Sequence, residues 1–113
     1  MPTIFQKIIN REIPATIEFE NDQLIVIRDI QPQAPIHLLI IPKKNIPTVN
    51  DISPEDTQLL FDMMQTAKAM ATKFGYSEKG YRLVVNCNEY GGQTVFQLHM
   101  HLLAGTKLQG GFA

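Results

Sequence analysis

One amphipathic helical pattern, with short β-rich runs on both sides of it, is the strongest constraint on how this chain can fold. Between residues 53 and 75, Ser53 is a good N-cap and Pro54 suits the first helical position. Glu55 and Asp56 put negative charge in the first turn. Leu59, Leu60, Met63, Met64, Ala67, Met70, Ala71 and Phe74 then form one apolar stripe. Gly75 is placed to end the helix in a left-handed conformation. The methionines read as flexible core filler, because Met fits irregular gaps. A lone helix with one apolar stripe needs a sheet to cover it.

The flanking runs supply that sheet. Strands are expected over 18–20, 24–30, 36–41, 81–86 and 94–103. Turns are expected at Asn21-Asp22 and 31–35, and a glycine-containing loop over 88–93. Runs 24–30 and 36–41 suggest an antiparallel pair. Ile4, Phe5, Ile8 and Ile9 recur at helical spacing, so a short helix should precede Pro14. The expected fold class is α+β: a mostly antiparallel sheet, one long helix and a short N-terminal helix, forming a single domain over residues 1–113.

Composition narrows the function classes. At 113 residues the chain can bury roughly two-thirds of its unfolded surface, enough for one core. The net charge of −1 gives no electrostatic footprint for a nucleic-acid or membrane-surface partner. The single cysteine, Cys87, excludes an internal disulfide and fits a reducing compartment. The N-terminal segment lacks a secretory apolar region, and no apolar run approaches the ~20 residues of a spanning helix. A cytoplasmic protein is expected.

The chemistry-bearing residues are few. There are three histidines, His37, His99 and His101. In a strand over 94–103, Gln97, His99 and His101 would share one face, with Leu98, Met100 and Leu102 on the core side. His37 alone is more readily a structural strand residue, whereas the His-x-His pair points to function. Glycines in Glu89-Tyr90-Gly91-Gly92-Gln93-Thr94 could turn successive amides toward one anion, with Thr94 and Asn86 as further donors. An ordinary loop fits that segment as well. Asp29 could accept both hydroxyls of a ribose or simply initiate the turn before Pro32.

Taken together, these segments resemble the histidine-triad nucleotide-binding family, in its small Hint-type branch. The resemblance spans almost the whole chain. It runs through Ile4 to Ile9, through Asp29-Ile30-Gln31-Pro32-Gln33-Ala34-Pro35-Ile36-His37-Leu38-Leu39-Ile40-Ile41-Pro42-Lys43-Lys44, through Gly80 to Asn86, and through Gly91 to Phe96. The family motif His-φ-His-φ-His-φ-φ, with φ apolar, falls on residues 97–103, except that Gln97 stands at the first histidine position.

The resemblance implies a homodimer and a purine nucleoside phosphoramidate, or a related mixed anhydride, as substrate. It makes His99 the nucleophile and His101 a phosphate contact. His37 and Gln97 complete the catalytic set. Phe5, Ile8, Phe19, Ile27 and Ile30 would wall the base pocket. Asp29 would hold the ribose, and Asn86, Gln93, Thr94 and Val95 would lie near ribose and phosphate. No metal and no organic cofactor is expected. With so little net charge, the nucleotide would be held by local amides, hydroxyls and imidazoles. If His99 gives its Nδ1 proton to a backbone carbonyl, Nε2 is left as the attacking lone pair. In this family that carbonyl belongs to the first triad position, and Gln97 also carries one. Two other readings stay open: a Zn²⁺ site made of His37, His99 and His101, and a nucleotide-binding module without turnover. Restoring histidine at position 97 is expected to preserve or raise turnover.

Overall fold

The computed structural model describes residues 2–111. Helix α1 covers Ile4–Ile9. Strands β1 (Ile17–Glu20), β2 (Leu24–Arg28) and β3 (Ile36–Pro42) follow, then helix α2 (Thr57–Lys73), β4 (Arg82–Val84) and β5 (Met100–Ala104). The strands form one antiparallel sheet in the order β1-β2-β3-β5-β4. The α+β architecture read from the sequence is therefore the observed one.

Alternation sorts the strands' side chains between two layers. Leu24, Val26, Leu38, Ile40, Met100 and Leu102 pack against Met63, Ala67, Met70 and Ala71 of α2. Ile25, Ile27, Leu39 and Ile41 project to the opposite face and pack with Phe5 and Ile8 of α1. β2 and β3 are thus covered on both sides, which is why they read as continuous apolar runs. Met64 departs from its expected place in the stripe and is exposed, because it lies on the side of α2 turned from the sheet.

Local chemistry sets the ends of these elements. Thr3 and Gln6 form a capping box at α1: Gln6 N–H donates to the Thr3 hydroxyl at 3.2 Å, and Thr3 N–H donates to Gln6 Oε1 at 2.7 Å. Six residues are too few for a helix to persist alone in water, so burial of Phe5 and Ile8 holds α1 in place. The Asn21 side chain accepts amides of Gln23 and Leu24 to close the β1–β2 hairpin. A 3-10 turn, Pro54–Asp56, leads into α2, and Gly75 (φ 84°) follows its end. Ser53 therefore caps that turn, one step before the helix proper.

Two expected strands are shorter than their sequence runs. β4 stops at Val84, opposite His101; Val85 would fall opposite Met100, the first residue of β5, and beyond that pair β5 offers no further partner. β5 itself does not extend back to Thr94. Extending its register with β3 sets Leu98 against Pro42, which has no N–H to donate. Residues 94–99 therefore leave the sheet, and Leu98 N–H donates instead to the Ile46 carbonyl at 2.7 Å. Likewise β2 ends at Arg28, leaving Asp29 and Ile30 in the connection to β3.

Candidate active site

His37 on β3 and His101 on β5 meet across the α1-side face of the sheet. His37 sits opposite Leu103, so His101 is its diagonal neighbour. Their rings are 5.2 Å apart by centroid, and His37 Nε2 lies 2.9 Å from His101 Nδ1. His99 precedes β5, yet its ring stands 5.1 Å from that of His101. Phe5 of α1 meets the His99 ring edge-on at 4.9 Å. The three histidines converge, although only two of them are on strands.

Their hydrogen-bond partners fix the tautomers. His99 Nδ1 lies 2.7 Å from the Gln97 carbonyl oxygen, which can only accept, so Nδ1 carries the proton. That leaves a lone pair on Nε2. His37 Nδ1 accepts the Gln33 backbone N–H at 3.0 Å, so the His37 proton is on Nε2 and is donated to His101 Nδ1. His101 in turn must carry its proton on Nε2. The two neighbouring imidazoles are chemically opposite: His99 offers a lone pair and His101 offers an N–H. Among the described residues neither Nε2 has a protein partner, and no buried side-chain N or O lacks one. Both atoms therefore open toward the cavity beside them.

Burial keeps all three rings neutral. His99 is held below the usual imidazole range by burial, against the opposing pulls of the Gln97 carbonyl and the Asp29 charge. His37 is also lowered by burial, with Asp29 opposing. His101 is pushed down to about 4, first by burial and then by its two neighbouring histidines, with Asp29 opposing.

The cavity has a volume of about 290 Å³. Phe5, Ile8, Ile27, Val95 and Leu39 give it apolar walls, while Asp29, Thr94, His99 and His101 give it polar points. Ile30, expected as a wall, is 88% exposed and stands at the rim, because β2 has already ended. Leu39 was not singled out from the sequence. Its signal was the period of two from His37. Pro14 and Ala15 also line the cavity and carry no such pattern.

Five expected site residues have other placements. His37 is buried behind His101 and acts on it rather than lining the cavity. Phe19, on β1, and Asn86, beyond β4, are outside the cavity lining. Gln93 is buried and pins its own loop: its amide donates to the Pro47 and Val95 carbonyls, and its oxygen accepts Asn88 N–H. Gln97 is 0% exposed and also turned away. The loop before Thr94 is not a nest either, because Gly92 and Gln93 spend their amides on the Glu89 and Asn88 carbonyls. Gly91 is required there for packing: a Cβ would come within 2.4 Å of the Cys87 carbonyl oxygen.

Asp29 takes up the turn role expected of it and keeps its second carboxylate oxygen out of that turn. Oδ1 accepts Gln31 N–H at 2.8 Å, which shapes the turn. Oδ2 lies 3.4 Å from His37 Nε2 and faces the cavity side.

The residues that could hold a cation are Asp29, His37 and His101, whose ligand atoms lie within 4.8 Å of one another. His99 is not in that set. The set fits a metal poorly. Its two imidazole nitrogens already share a proton, and a zinc ion would need both lone pairs at about 2.0–2.1 Å. Freeing His37 Nε2 would move its proton to Nδ1, against the Gln33 N–H.

Comparison with known proteins agrees with this geometry. Residues 10–108 match the HIT domain. The chain is 53% identical over 106 residues to the purine nucleoside phosphoramidase of Escherichia coli K12, covering 94% of this chain and 89% of that one. Among solved structures, a HIT family hydrolase from Legionella pneumophila superposes with a TM-score of 0.94 at 50% identity, covering 96% of each chain. A HIT family hydrolase from Clostridium thermocellum superposes at 0.93 with 46% identity, covering 98% of this chain and 96% of that one.

Proposed function

The chain belongs to the HIT-domain family, and on that premise we propose that it hydrolyses purine nucleoside phosphoramidates through a nucleotidyl-His99 intermediate. The observation that carries this reading is the oriented, neutral His99. Its Nδ1–H is tied to the Gln97 carbonyl at 2.7 Å and its Nε2 is free beside an apolar cavity.

The base would lie between Phe5 and Ile8 on one side and Ile27 and Val95 on the other. Asp29 Oδ2 would accept the ribose hydroxyls, which places the phosphate at His99 and His101. His99 Nε2 attacks the α-phosphorus as the P–N bond breaks, and the amine nitrogen, having taken a proton from solvent before attack, leaves neutral. The ring then carries the nucleotidyl group on Nε2 and a proton on Nδ1, and so is cationic. The Gln97 carbonyl, already bonded to that proton, stabilises the developing charge. His101 Nε2–H donates to a phosphoryl oxygen. Water next attacks phosphorus, the P–Nε2 pair returns to the ring, and the water's proton passes to solvent with release of the nucleoside monophosphate.

We also propose a homodimer. β4 is an edge strand with one open side, Val85 beyond it is exposed, and α2 presents exposed Phe61 and Met64. Sedimentation at micromolar concentration should give twice the chain mass, and a monomer there would refute the pairing. A cytoplasmic site of action fits the single Cys87, and among the described residues no helix is long and apolar enough to cross a membrane. The net charge of −1 argues against a nucleic-acid partner.

Turnover of adenosine 5′-phosphoramidate by the purified chain tests the reaction, with AMP and ammonia as the expected products. Tight AMP binding without turnover would favour the module reading instead.

A further inference from the structure

Gln97 departs from the family motif, and its side chain lies outside the cavity. It nevertheless makes three side-chain hydrogen bonds, all to groups that frame the site. Its Nε2 donates to the Pro42 carbonyl at 2.9 Å and the Lys44 carbonyl at 2.8 Å. Its Oε1 accepts Gln6 Nε2–H at 3.2 Å. Its main-chain carbonyl accepts His99 Nδ1–H. The side chain thus takes over where β5 cannot continue its ladder along β3, because of Pro42.

These contacts join three pieces of the site. Pro42 and Lys44 are the exit of β3, on which His37 and Leu39 stand. Gln6 is on α1, between Phe5, whose ring touches His99, and the base-wall residue Ile8; it also donates to Asn45 Oδ1 at 2.8 Å. The carbonyl of Gln97 sets the nucleophile's tautomer. We propose that Gln97 is a positioning residue: its buried amide clamps its own carbonyl against the end of β3 and seats α1, so that His99 and the base wall are held in one register.

A count of donors separates this from incidental packing. A neutral imidazole has one donor and one acceptor, whereas this amide gives two N–H bonds and accepts one. Histidine at position 97 would leave at least one of the Pro42 and Lys44 carbonyls without its donor. The gain expected from restoring the family motif is therefore replaced by an expected loss.

The inference rests on His99 as nucleophile, and its test reads the ring directly. Gln97→Met keeps the length and removes the bonds. In the folded variant, kcat on adenosine phosphoramidate should fall about tenfold or more, which is ~1.4 kcal/mol at the transition state. The ¹⁵N imidazole signals of His99 should change from one Nδ1-protonated tautomer to a mixture, and Gln97→His should lower kcat in the same direction. A fall in Tm with kcat and the His99 signals unchanged would overturn the proposal. Should Gln97→Met fail to fold, Gln6→Ala cuts only the link to α1. That change should raise KM with the tautomer preserved, and an unchanged KM would overturn the proposal. The tautomer measurement needs no turnover. It can fail while the nucleophile assignment stands, and the nucleophile assignment can fail while it stands.

Discussion

The two faces of this one sheet use the same strands differently. Toward α2, Leu24, Val26, Leu38, Ile40, Met100 and Leu102 pack into an apolar cluster with Met63, Ala67, Met70 and Ala71, and among the described residues no histidine or carboxylate belongs to it. Toward α1, Ile25, Ile27, Leu39 and Ile41 start a second core that gives way to His37, His99 and His101 within a few ångströms. One face is stabilised chiefly by apolar burial. The other buries polar groups and partners them on one side, leaving the Nε2 atoms of His99 and His101 to the cavity, which fixes their protonation and direction. A single residue of offset along a strand decides which side a change affects: Leu38 faces α2, while His37 faces the site.

That contrast can be broken most severely at the nucleophile. His99→Ala should abolish measurable turnover of adenosine phosphoramidate, a loss of about 10⁴-fold or more, since the attacking atom itself is gone. AMP affinity should stay near wild type, because base and ribose are held elsewhere. Wild-type turnover in this variant would end the nucleophile assignment.

Leu38→Ala on the opposite face should lower stability by about 2–5 kcal/mol, the range for truncating a fully buried leucine. Denaturant melts would measure it. The folded fraction should keep its kcat, and a proportionate loss of kcat would mean that the faces are not separable.

Asp29→Ala should weaken AMP binding by about 1–3 kcal/mol, as expected when hydroxyls lose a charged acceptor. Titration calorimetry would show it, and an unchanged affinity would reduce Asp29 to its turn with Gln31.

Acid should act on one face only. The histidines bind protons more readily unfolded than folded, so their contribution is full above about 6.5 and is lost as pH falls toward about 4, the value for His101. The activity of wild type should persist through the pH at which an ordinary imidazole titrates and decline only at lower pH, because burial holds His99 neutral below its usual range. Leu38→Ala should shift Tm by the same amount across that range. Chelation should have the smallest effect of all, none on kcat, because the His37–His101 hydrogen bond occupies the nitrogens a metal would need.

How much of this the sequence disclosed depended on whether a feature was periodic. α2, the strand runs and the pairing of His99 with His101 all follow from periods of 3.6 and 2. The acceptor for His99 was readable too, because a backbone carbonyl exists whatever the side chain. The extent of 94–103 was not readable, since it hinges on Pro42 lying opposite Leu98, more than fifty residues away in sequence. Gln93 and Gln97 look like site residues in the motif, but each turns its amide onto backbone carbonyls, and no local pattern announces that. Phe19 has the right chemistry for a base wall and the wrong strand position. The Gln33 amide, which fixes His37 and through it His101, is a main-chain group and leaves no trace in composition. The segment 105–113, short and without Trp, is described as far as Gly111, and its last two residues lie outside the described residues.

The central claim is that His99 Nε2 becomes bonded to phosphorus. Quenching wild type in alkaline denaturant during turnover of adenosine phosphoramidate, followed by peptide mass mapping at alkaline pH with fragmentation to separate His99 from His101, reads that bond directly. The account predicts one adenylyl group on the peptide that contains His99, present in the first turnover and lost on further incubation with water. An adduct on the His37 peptide instead, or AMP formed in single-turnover conditions with no adduct at any time resolved, would contradict it.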